Sequence, residues 1–249
     1  YNNDFLQSIQ GIVNGSTNYI LTKTFQDNLS FDDALKEAQE KGYAESNPIL
    51  DTGGFDARSK LQILLAHSFG IKTVPEDVFN VGIQNLGDLE LKFAKEKNLQ
   101  IKLLAYAQKR NDNEVAALVI PKFVKSTDTF STVSDVFNGV KVQTAFADKQ
   151  FFYGRGAGSL PTASAVLSDI SALAYDYRYE YKKISNSENL KLTEDFILKV
   201  LFRHRSKDAD KFQSYFINID EYYGNKEQGY FVGSIRFQQL KDVFTKHQD

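Results

Sequence analysis

Cysteine is absent from the 249 residues of this chain, and histidine occurs only three times. Without cysteine the chain has no disulfide and no thiol nucleophile, and a cytoplasmic location is the expectation. Histidines at positions 67, 204 and 247 are too few for a histidine-rich zinc site, so we predict no metal ion. Methionine is absent as well, and the chain begins at Tyr1, which leads us to expect a mature or truncated product.

Long apolar runs and a strong charge of either sign are also missing. The longest apolar run, near residues 61–66, is too short to span a bilayer, and no basic-then-apolar signal segment opens the chain. The formal net charge of -2 gives no reason to expect nucleic acid or an anionic membrane as a partner. The composition, 42% hydrophobic and 25% charged, is typical of one large globular domain or two modest ones.

The first hundred or so residues carry helix signals. Ser16 or Thr17 can cap a helix within "NGSTNYILTK", and Ser30 can begin a second helix that stops near residue 42. A third is predicted from about Asp56 to Phe69, with Gly70 ending it, and a fourth over residues 88–95. The third is apolar over most of its circumference, so we predict that it is buried.

Strand signals dominate the region that follows. The runs "IKLLAYAQKR" and "EVAALVIPKFV" flank residues 111–113 and predict a hairpin. A helix is predicted from about Ser131, then strands "VKVQTAFA" and "FFYGRGAG", then a helix over "SLPTASAVLSDISALAYD". This order predicts an α+β domain with helices packed on one face of a mixed sheet, over residues 1–183. After the polar linker "KKISNSEN", three strands and a closing helix form a small α+β module over residues 184–249.

The stretch "GYAESNPILDTGGFDARSK" concentrates charge around a double glycine. It places Glu45, Asp51, Asp56 and Lys60 where a helix emerges from the turn. Asp56 and Lys60 are four residues apart and share one helix face, so they can form an ordinary surface ion pair worth a few tenths of a kcal/mol. However, a lysine near the start of a buried helix needs partners or a purpose. Spacing alone leaves both interpretations open.

A second candidate is the glycine-rich turn "FFYGRGAGSLPT". Gly154, Gly156 and Gly158 lie between a predicted strand and a helix N-terminus, where backbone N–H groups can bind an anion. The glycines do not complete the G-x-G-x-x-G pattern of dinucleotide sites, and no acidic strand end follows at the expected distance. A tight turn with positive φ explains them equally well.

Four stretches of the chain together resemble homoserine dehydrogenase. In order they are "GIVNGSTNYILTK", "KEAQEKGYAESNP", "LD..GFDARSKLQILLAHSFG" and "FADKQFFYGRGAGSLPTASAVLSDI". The match covers roughly the first 180 residues and concerns the substrate-binding and catalytic portion of that enzyme. The family's N-terminal Rossmann domain has no counterpart in the chain. The tail resembles the short regulatory modules of ACT type that follow many such catalytic domains.

The resemblance implies an activity and residue roles. Members of this family reduce aspartate 4-semialdehyde to homoserine, on the route to threonine and methionine, with NADP or NAD bound mainly by the absent N-terminal domain. By the family pattern, Tyr43 and Glu45 contact the amino-acid substrate, and Asp51 and Asp56 hold its ammonium and orient Lys60. Lys60 is then the proton donor to the carbonyl oxygen. Carboxylates for a cationic substrate and an acid for a carbonyl are the groups that this chemistry needs.

The resemblance further implies that Gly156 and Gly158 lie beside the nicotinamide, and that the chain forms a homodimer through its sheet. One departure is Thr52-Gly53, where the family more often has an apolar residue and an acid. The competing interpretation is a non-enzymatic amino-acid-binding or regulatory protein that retains the substrate pocket. A relative of dihydrodipicolinate reductase is a second enzyme possibility, which the spacing of the acids and Lys60 disfavours.

Overall fold

The computed structural model describes residues 5–178, 180, 182–185 and 190–246. Contacts between residues divide the chain into a first unit that ends at Leu192 and a second that begins at Thr193. The predicted boundary after residue 183 comes earlier than this division, because residues 191 and 192 pair with a strand of the first unit. Of the predicted linker, Lys182–Ser185 form a helical turn, and residues 186–189 lie outside the described residues.

The first unit combines one sheet with helices. Its strands are β1 (Leu6–Ile12), β2 (Phe79–Asn80), β3 (Leu99–Asn111), β4 (Glu114–Lys125), β5 (Phe137–Thr144), β6 (Lys149–Arg155) and β7 (Lys191–Leu192). Its helices are α1 (Gly15–Gln26), α2 (Phe31–Glu40), α3 (Ile49–Thr52), α4 (Phe55–Phe69), α5 (Asp88–Glu96), α6 (Ser159–Leu173) and α7 (Lys182–Ser185). The strand order is β2-β4-β3-β1-β5-β6, with β7 also on β4. Because β2 and β7 run parallel to β4 while the other pairs are antiparallel, the predicted mixed sheet is confirmed.

The strand β3 shows how the helices cover the sheet. Its residues Leu103, Ala105 and Ala107 belong to the main core, which also contains buried residues of α1 and α4. Leu104 points the other way and packs with Phe130 in a smaller cluster. Since successive side chains alternate across a strand, α1 and α4 lie on one face of the sheet, as predicted, and β3 and β4 form the predicted hairpin.

The strand in the middle of the sheet, β1, has no strand signal in the sequence. Its apolar residues Leu6, Ile9 and Ile12 are three apart, so they lack the two-residue alternation of a half-buried strand. Pairing on both sides holds it extended: Ile9 lies opposite Ala107 of β3 and Val142 of β5. Because α1 follows β1 after two residues, the N-terminus of α1 lies at the end of this central strand.

The starts of α1 and α2 follow local capping rules, but the predicted cap of α1 is wrong. Ser30 caps α2 as predicted, and its side chain accepts a hydrogen bond from the Asp33 amide. The cap of α1 is Asn14, whereas the predicted Ser16 and Thr17 lie inside the first turn. Asn14 has extended backbone angles and accepts the Thr17 amide on its side chain, the arrangement that favours Asn, Asp or Ser at this position.

Two other helix predictions need correction. The chain around Ser131 is a short 3-10 turn, Thr129–Thr132, that leads into β5, so the predicted helix there is wrong. The helix α4 runs from Phe55 to Phe69 and is buried on one face only: Leu61 and Leu65 are fully buried, whereas Ile63 is 54% exposed. The apolar surface of α4 is therefore wider than the surface that its neighbours cover.

The second unit is a three-stranded sheet with two helices within its described residues. Its elements are β8 (Ile197–Arg205), α8 (Ala209–Gln213), β9 (Phe216–Gly224), β10 (Gln228–Arg236) and α9 (Phe237–Lys246). The strand order is β8-β10-β9, and both pairs are antiparallel. Phe212, Phe231 and Val243 form the centre of its core. The predicted strands and closing helix are present, α8 is too short to give a sequence signal, and the ACT-like assignment stays a prediction.

Candidate active site

Asn14, the cap of α1, connects three segments of the first unit. Its side-chain oxygen accepts the Thr17 amide at 2.8 Å. Its side-chain nitrogen Nδ2 donates to Asp51 Oδ1 at 2.7 Å and to Asp56 Oδ2 at 2.8 Å. One amide thereby brings together a carboxylate of α3 and a carboxylate of α4, and it holds both at the end of the central strand.

Lys60 completes this group from the first turns of α4. Its Nζ lies 2.7 Å from Asp56 Oδ2 and donates to the backbone oxygen of Val13 at 2.9 Å. The side chain is 45% exposed, so it reaches solvent while its ammonium is held at two points. The expected pairing of Asp56 with Lys60 is present, and the second contact, to the chain just before Asn14, distinguishes it from a simple surface pair.

Asp51 lies in an electrostatically unfavourable place for a carboxylate. Partial burial raises its pKa above the ordinary aspartate value, and the neighbouring Asp56 and Glu45 carboxylates raise the pKa further. The hydrogen bond from Asn14 and the charge of Lys60 act in the opposite direction and lower the pKa. The site therefore has more negative than positive charge, an environment that a cationic ligand group would relieve.

Glu45 and Tyr43 lie on the loop between α2 and α3. The Glu45 side chain is exposed, and its backbone oxygen accepts a hydrogen bond from Gln39. The Tyr43 ring packs on the Tyr19 ring at 5.1 Å, and its backbone oxygen accepts a hydrogen bond from the Ser16 hydroxyl. Tyr43 thus ties the loop to α1, and its contact with a substrate stays a prediction.

The glycine turn before α6 approaches the same end of α1. A Cβ on Gly15 would come within 2.8 Å of the Val136 oxygen and 3.5 Å of the Ala157 Cβ, so the turn lies directly beside the residue that follows Asn14. Gly158 has φ of 114°, which favours glycine. At Gly156 a Cβ would overlap the Asn138 side chain, 2.2 Å from its nitrogen. Both glycines therefore have structural reasons within the chain itself.

The helix that follows this turn is uncovered. No residue of α6 is buried, although its exposed residues include the apolar side chains of Leu160, Leu167 and Leu173, at 81%, 64% and 69% exposure. Apolar helix surfaces of this extent normally mark a contact with another folded part.

The first unit also has a cleft away from this site. A cleft of about 590 Å³ beside β4, β5 and β6 is lined by lysines 122, 125, 141 and 149, and it contains none of the candidate residues. Among the residues that the structure describes, no helix has both the length and the apolar character needed to cross a membrane. In the same ranges, no group of three His, Asp or Glu side chains is arranged to hold a metal ion.

Comparison with known proteins identifies the family. A family model for homoserine dehydrogenase matches residues 1–171. The chain belongs to the homoserine dehydrogenase family. The homoserine dehydrogenase of Helicobacter pylori is 42% identical over 167 residues, which are 67% of this chain and 39% of that protein. This chain therefore spans well under half the length of that curated relative.

Solved structures of homoserine dehydrogenases share the fold. The crystal structure of a homoserine dehydrogenase from Thiobacillus denitrificans has a TM-score of 0.82 and 26% identity, covering 98% of this chain and 61% of that one. A hyperthermophilic archaeal homoserine dehydrogenase in complex with NADPH has a TM-score of 0.58 and 28% identity, covering 71% of this chain and 50% of that one.

Two parts of the candidate active site could not be predicted from the sequence of this homoserine dehydrogenase family member. Asn14 had a usable signal, because asparagine is among the preferred helix caps, but its contacts to residues 51 and 56 are long-range and leave no local pattern. The Val13 backbone oxygen has no residue-type signal at all. Its contact with Lys60 depends on where β1 ends.

Proposed function

We propose that this chain is the substrate-binding and catalytic portion of a homoserine dehydrogenase, which reduces aspartate 4-semialdehyde to homoserine with NAD(P)H. The observation that carries the proposal is the position of Lys60, held by Asp56 and the Val13 oxygen beside the surplus carboxylates of Asp51 and Glu45. The family membership of the chain supports the same reaction. The product serves the biosynthesis of threonine and methionine.

Substrate binding follows from the charge at the site. The semialdehyde and homoserine each carry an α-ammonium, and Asp51 with Glu45 supplies carboxylates that can accept its N–H groups. The raised pKa of Asp51 reflects a cost of ionisation that a bound ammonium would lower. Tyr43 and Asp56 complete the proposed contacts, with Asp56 shared between the substrate and Lys60.

Lys60 acts in this proposal as the acid. As the aldehyde carbon gains a hydride, its oxygen gains negative charge and needs a proton. Lys60 Nζ donates that proton and becomes a neutral amine, which takes up a new proton from solvent through its exposed side. In the reverse direction, the neutral amine removes the proton from the homoserine hydroxyl. Asp56 and the Val13 oxygen keep Nζ in one place for both directions.

The cofactor proposal starts from the glycine turn before α6. Gly156 is explained by its contact with Asn138, and Gly158 by its backbone angle, so neither glycine by itself points to a dinucleotide. We propose that NADP or NAD, which supplies the hydride when bound, is held mainly by a nucleotide-binding domain outside this chain, with the turn at Gly156 and Gly158 flanking the nicotinamide. One family member has been solved with NADPH.

The assembly proposal concerns α6 and the sheet. We propose that the apolar side of α6 packs against the nucleotide-binding domain, and that the sheet mediates a homodimer in the cytoplasm, without nucleic-acid or membrane partners. Light scattering on this chain at several concentrations tests the dimer, and a monomer at every concentration would contradict it.

An enzymatic assay tests the proposed function. This chain replaces the matching part of the Helicobacter pylori relative, 39% of that protein, giving what we call the complete enzyme. We expect homoserine-dependent reduction of NADP or NAD by the complete enzyme, and none by either part alone, since hydride transfer needs a positioned cofactor. Homoserine binding by this chain, with no turnover by a folded complete enzyme, would instead support the non-enzymatic amino-acid-binding alternative.

A further inference from the structure

We propose that Asn14 is a positioning residue, whose side-chain amide fixes the positions of the protein carboxylates Asp51 and Asp56 and favours the ionised form of Asp51. This inference rests on the proposed function, because it gives a role to a residue that acts through those two carboxylates. Asn14 is 6% exposed, so we do not count it among the substrate contacts.

The helix cap fixes which way the Asn14 amide points. The Thr17 amide donates to Oδ1 at 2.8 Å, so the opposite side of the amide, with its two N–H bonds, is directed away from the helix. Those two N–H groups match the two acceptors present, Asp51 Oδ1 and Asp56 Oδ2. A flipped amide would lose the cap and place an oxygen against two carboxylates, which makes the observed orientation the only favourable one.

The same short segment also holds the proposed acid. Val13, the residue before Asn14, accepts a hydrogen bond from Lys60 through its backbone oxygen. The end of β1 and the start of α1 therefore hold Lys60 directly and hold both carboxylates through Asn14. A shift of this segment would move all three groups together, which suits a site that must keep the substrate ammonium and the acid at fixed separation.

The electrostatic role of Asn14 follows from its two donors. Asp51 and Asp56 repel each other, and burial adds to the cost of ionising Asp51. The bond from Asn14 favours the ionised carboxylate and opposes both effects. Without it, Asp51 would take up a proton more readily and would bind the substrate ammonium less well at a given pH.

Capping and positioning can be separated because several residues cap equally well. Asn14→Asp keeps a cap of equal quality and nearly the same shape, but it replaces the two donors with a fourth carboxylate at the site. Asn14→Ser also keeps a cap but is shorter and lacks the amide. If Asn14 were only a cap, Asn14→Ser would behave like the wild type, whereas Asn14→Asp adds a charge beside the two carboxylates in either case.

The experiment measures the pH dependence of kcat/KM for homoserine oxidation by the complete enzyme. We expect Asn14→Asp to lower kcat/KM at neutral pH by about tenfold or more, the effect of losing charged hydrogen bonds, and to move the acid limb to higher pH. Asn14→Ser should shift the limb in the same direction by less. Ser30→Ala, which removes the cap of α2 away from the site, should leave the profile unchanged.

A second measurement uses this chain alone and needs no turnover. The carboxyl carbons of aspartate are followed by NMR during an acid titration, with Asp51→Asn used to assign the Asp51 signal. We expect the Asp51 midpoint to rise in Asn14→Asp and in Asn14→Ser, but not in Ser30→Ala. A wild-type midpoint and a wild-type pH profile in folded Asn14→Ser, which adds no charge, would overturn the inference. If the wild-type complete enzyme has no activity, the proposed function fails, and the NMR titration alone decides the role of Asn14.

Discussion

At the scale of single residues, the site combines three carboxylates with one ammonium. Asp56 is neutralised by Lys60 at 2.7 Å, whereas Asp51 and Glu45 have no cationic partner in the contacts described above and act unfavourably on each other. Binding of a positively charged ligand group would therefore relieve the repulsion between these carboxylates, which the protein alone leaves uncompensated. That asymmetry is the physical reason why the proposal gives Asp51 and Glu45 to the substrate alone and lets the substrate share Asp56 with the lysine.

Glu45→Gln should therefore weaken binding more than chemistry. In the complete enzyme we expect KM for homoserine to rise about tenfold, the cost of one charge-assisted contact, with kcat changed far less, because the ammonium is bound equally in the ground state and the transition state. Glu40→Gln is the matched control, since it removes an exposed carboxylate at the end of α2. A kcat that falls as much as KM rises would contradict a pure binding role.

A second residue-scale effect concerns Lys102, which lies in the core of the first unit. The residue is 2% exposed, and its ammonium contacts the Val133 oxygen at 2.6 Å and Asn18 Oδ1 at 3.3 Å. Burial lowers the pKa of Lys102 from 10.5 to about 8, against the favourable charge of Asp135. The folded chain therefore loses this proton at lower pH than the unfolded chain.

Lys102→Met tests this effect by comparison of unfolding free energies. Between the folded and unfolded pKa values the unfolded state binds more protons, so the wild type should gain stability relative to Lys102→Met as pH rises from 8 to 10.5. The gain should approach about 3 kcal/mol across the window, measured by urea denaturation at several pH values. Below pH 8 the difference should be constant. A difference that is also constant above pH 8 would show that Lys102 titrates normally.

At the scale of elements, the sequence predicted those helices and hairpins that are determined by residues close together in the chain. Ser30 and the Asn-rich turn at residues 111–113 act on their immediate neighbours, so α2 and the β3–β4 hairpin were found. The strand β1 is held by partners about a hundred residues away in the chain, with Ile9 opposite Ala107 and Val142, and its own pattern is not that of a strand. The contacts of Asn14, over 37 and 42 residues, were missed for the same reason.

The helix α4 gives an element-scale prediction, because its composition does not reveal which face is buried. Leu61 is fully buried and Ile63 is 54% exposed, although both are large and apolar. Leu61→Ala should lower the free energy of unfolding by about 2–5 kcal/mol through the cavity that it leaves. Ile63→Ala should change it by less than about 0.5 kcal/mol apart from helix propensity. Equal losses in chemical denaturation would mean that α4 is covered on both faces.

At the scale of the whole molecule, the distribution of apolar surface is the main observation. Leu160, Leu167 and Leu173 on α6 are more than half exposed, and the candidate site lies at the same end of α1 as the turn that precedes α6. A site open to solvent would not protect a hydride transfer from water. The exposed leucines of α6 and the location of the site beside α6 are both explained if, as we propose, a cofactor-binding domain covers α6 and closes the site.

The exposed surface of α6 should have consequences for this chain on its own. We expect Leu167→Ser to reduce binding of a hydrophobic dye and to reduce self-association, without lowering the unfolding midpoint, because Leu167 is already 64% exposed. Ile63→Ser is the control, since it removes an exposed apolar side chain from α4. In the complete enzyme the same Leu167→Ser change should weaken cofactor affinity or stability. A wild-type chain that is stable on its own and binds no hydrophobic dye would contradict the idea that another domain covers α6.

The central claim, that Lys60 is the acid of a homoserine dehydrogenase, is tested most directly by steady-state kinetics of Lys60→Ala in the complete enzyme. We predict that kcat and kcat/KM for homoserine fall by a similar factor of about a hundred or more, while KM for the dinucleotide stays near wild type. The matched control is Lys23→Ala, which removes another lysine–aspartate pair of the same spacing, at 2.8 Å on α1, and should leave kcat unchanged. A Lys60→Ala enzyme with near-normal kcat would mean that Lys60 is only a surface partner of Asp56, and the account would be wrong.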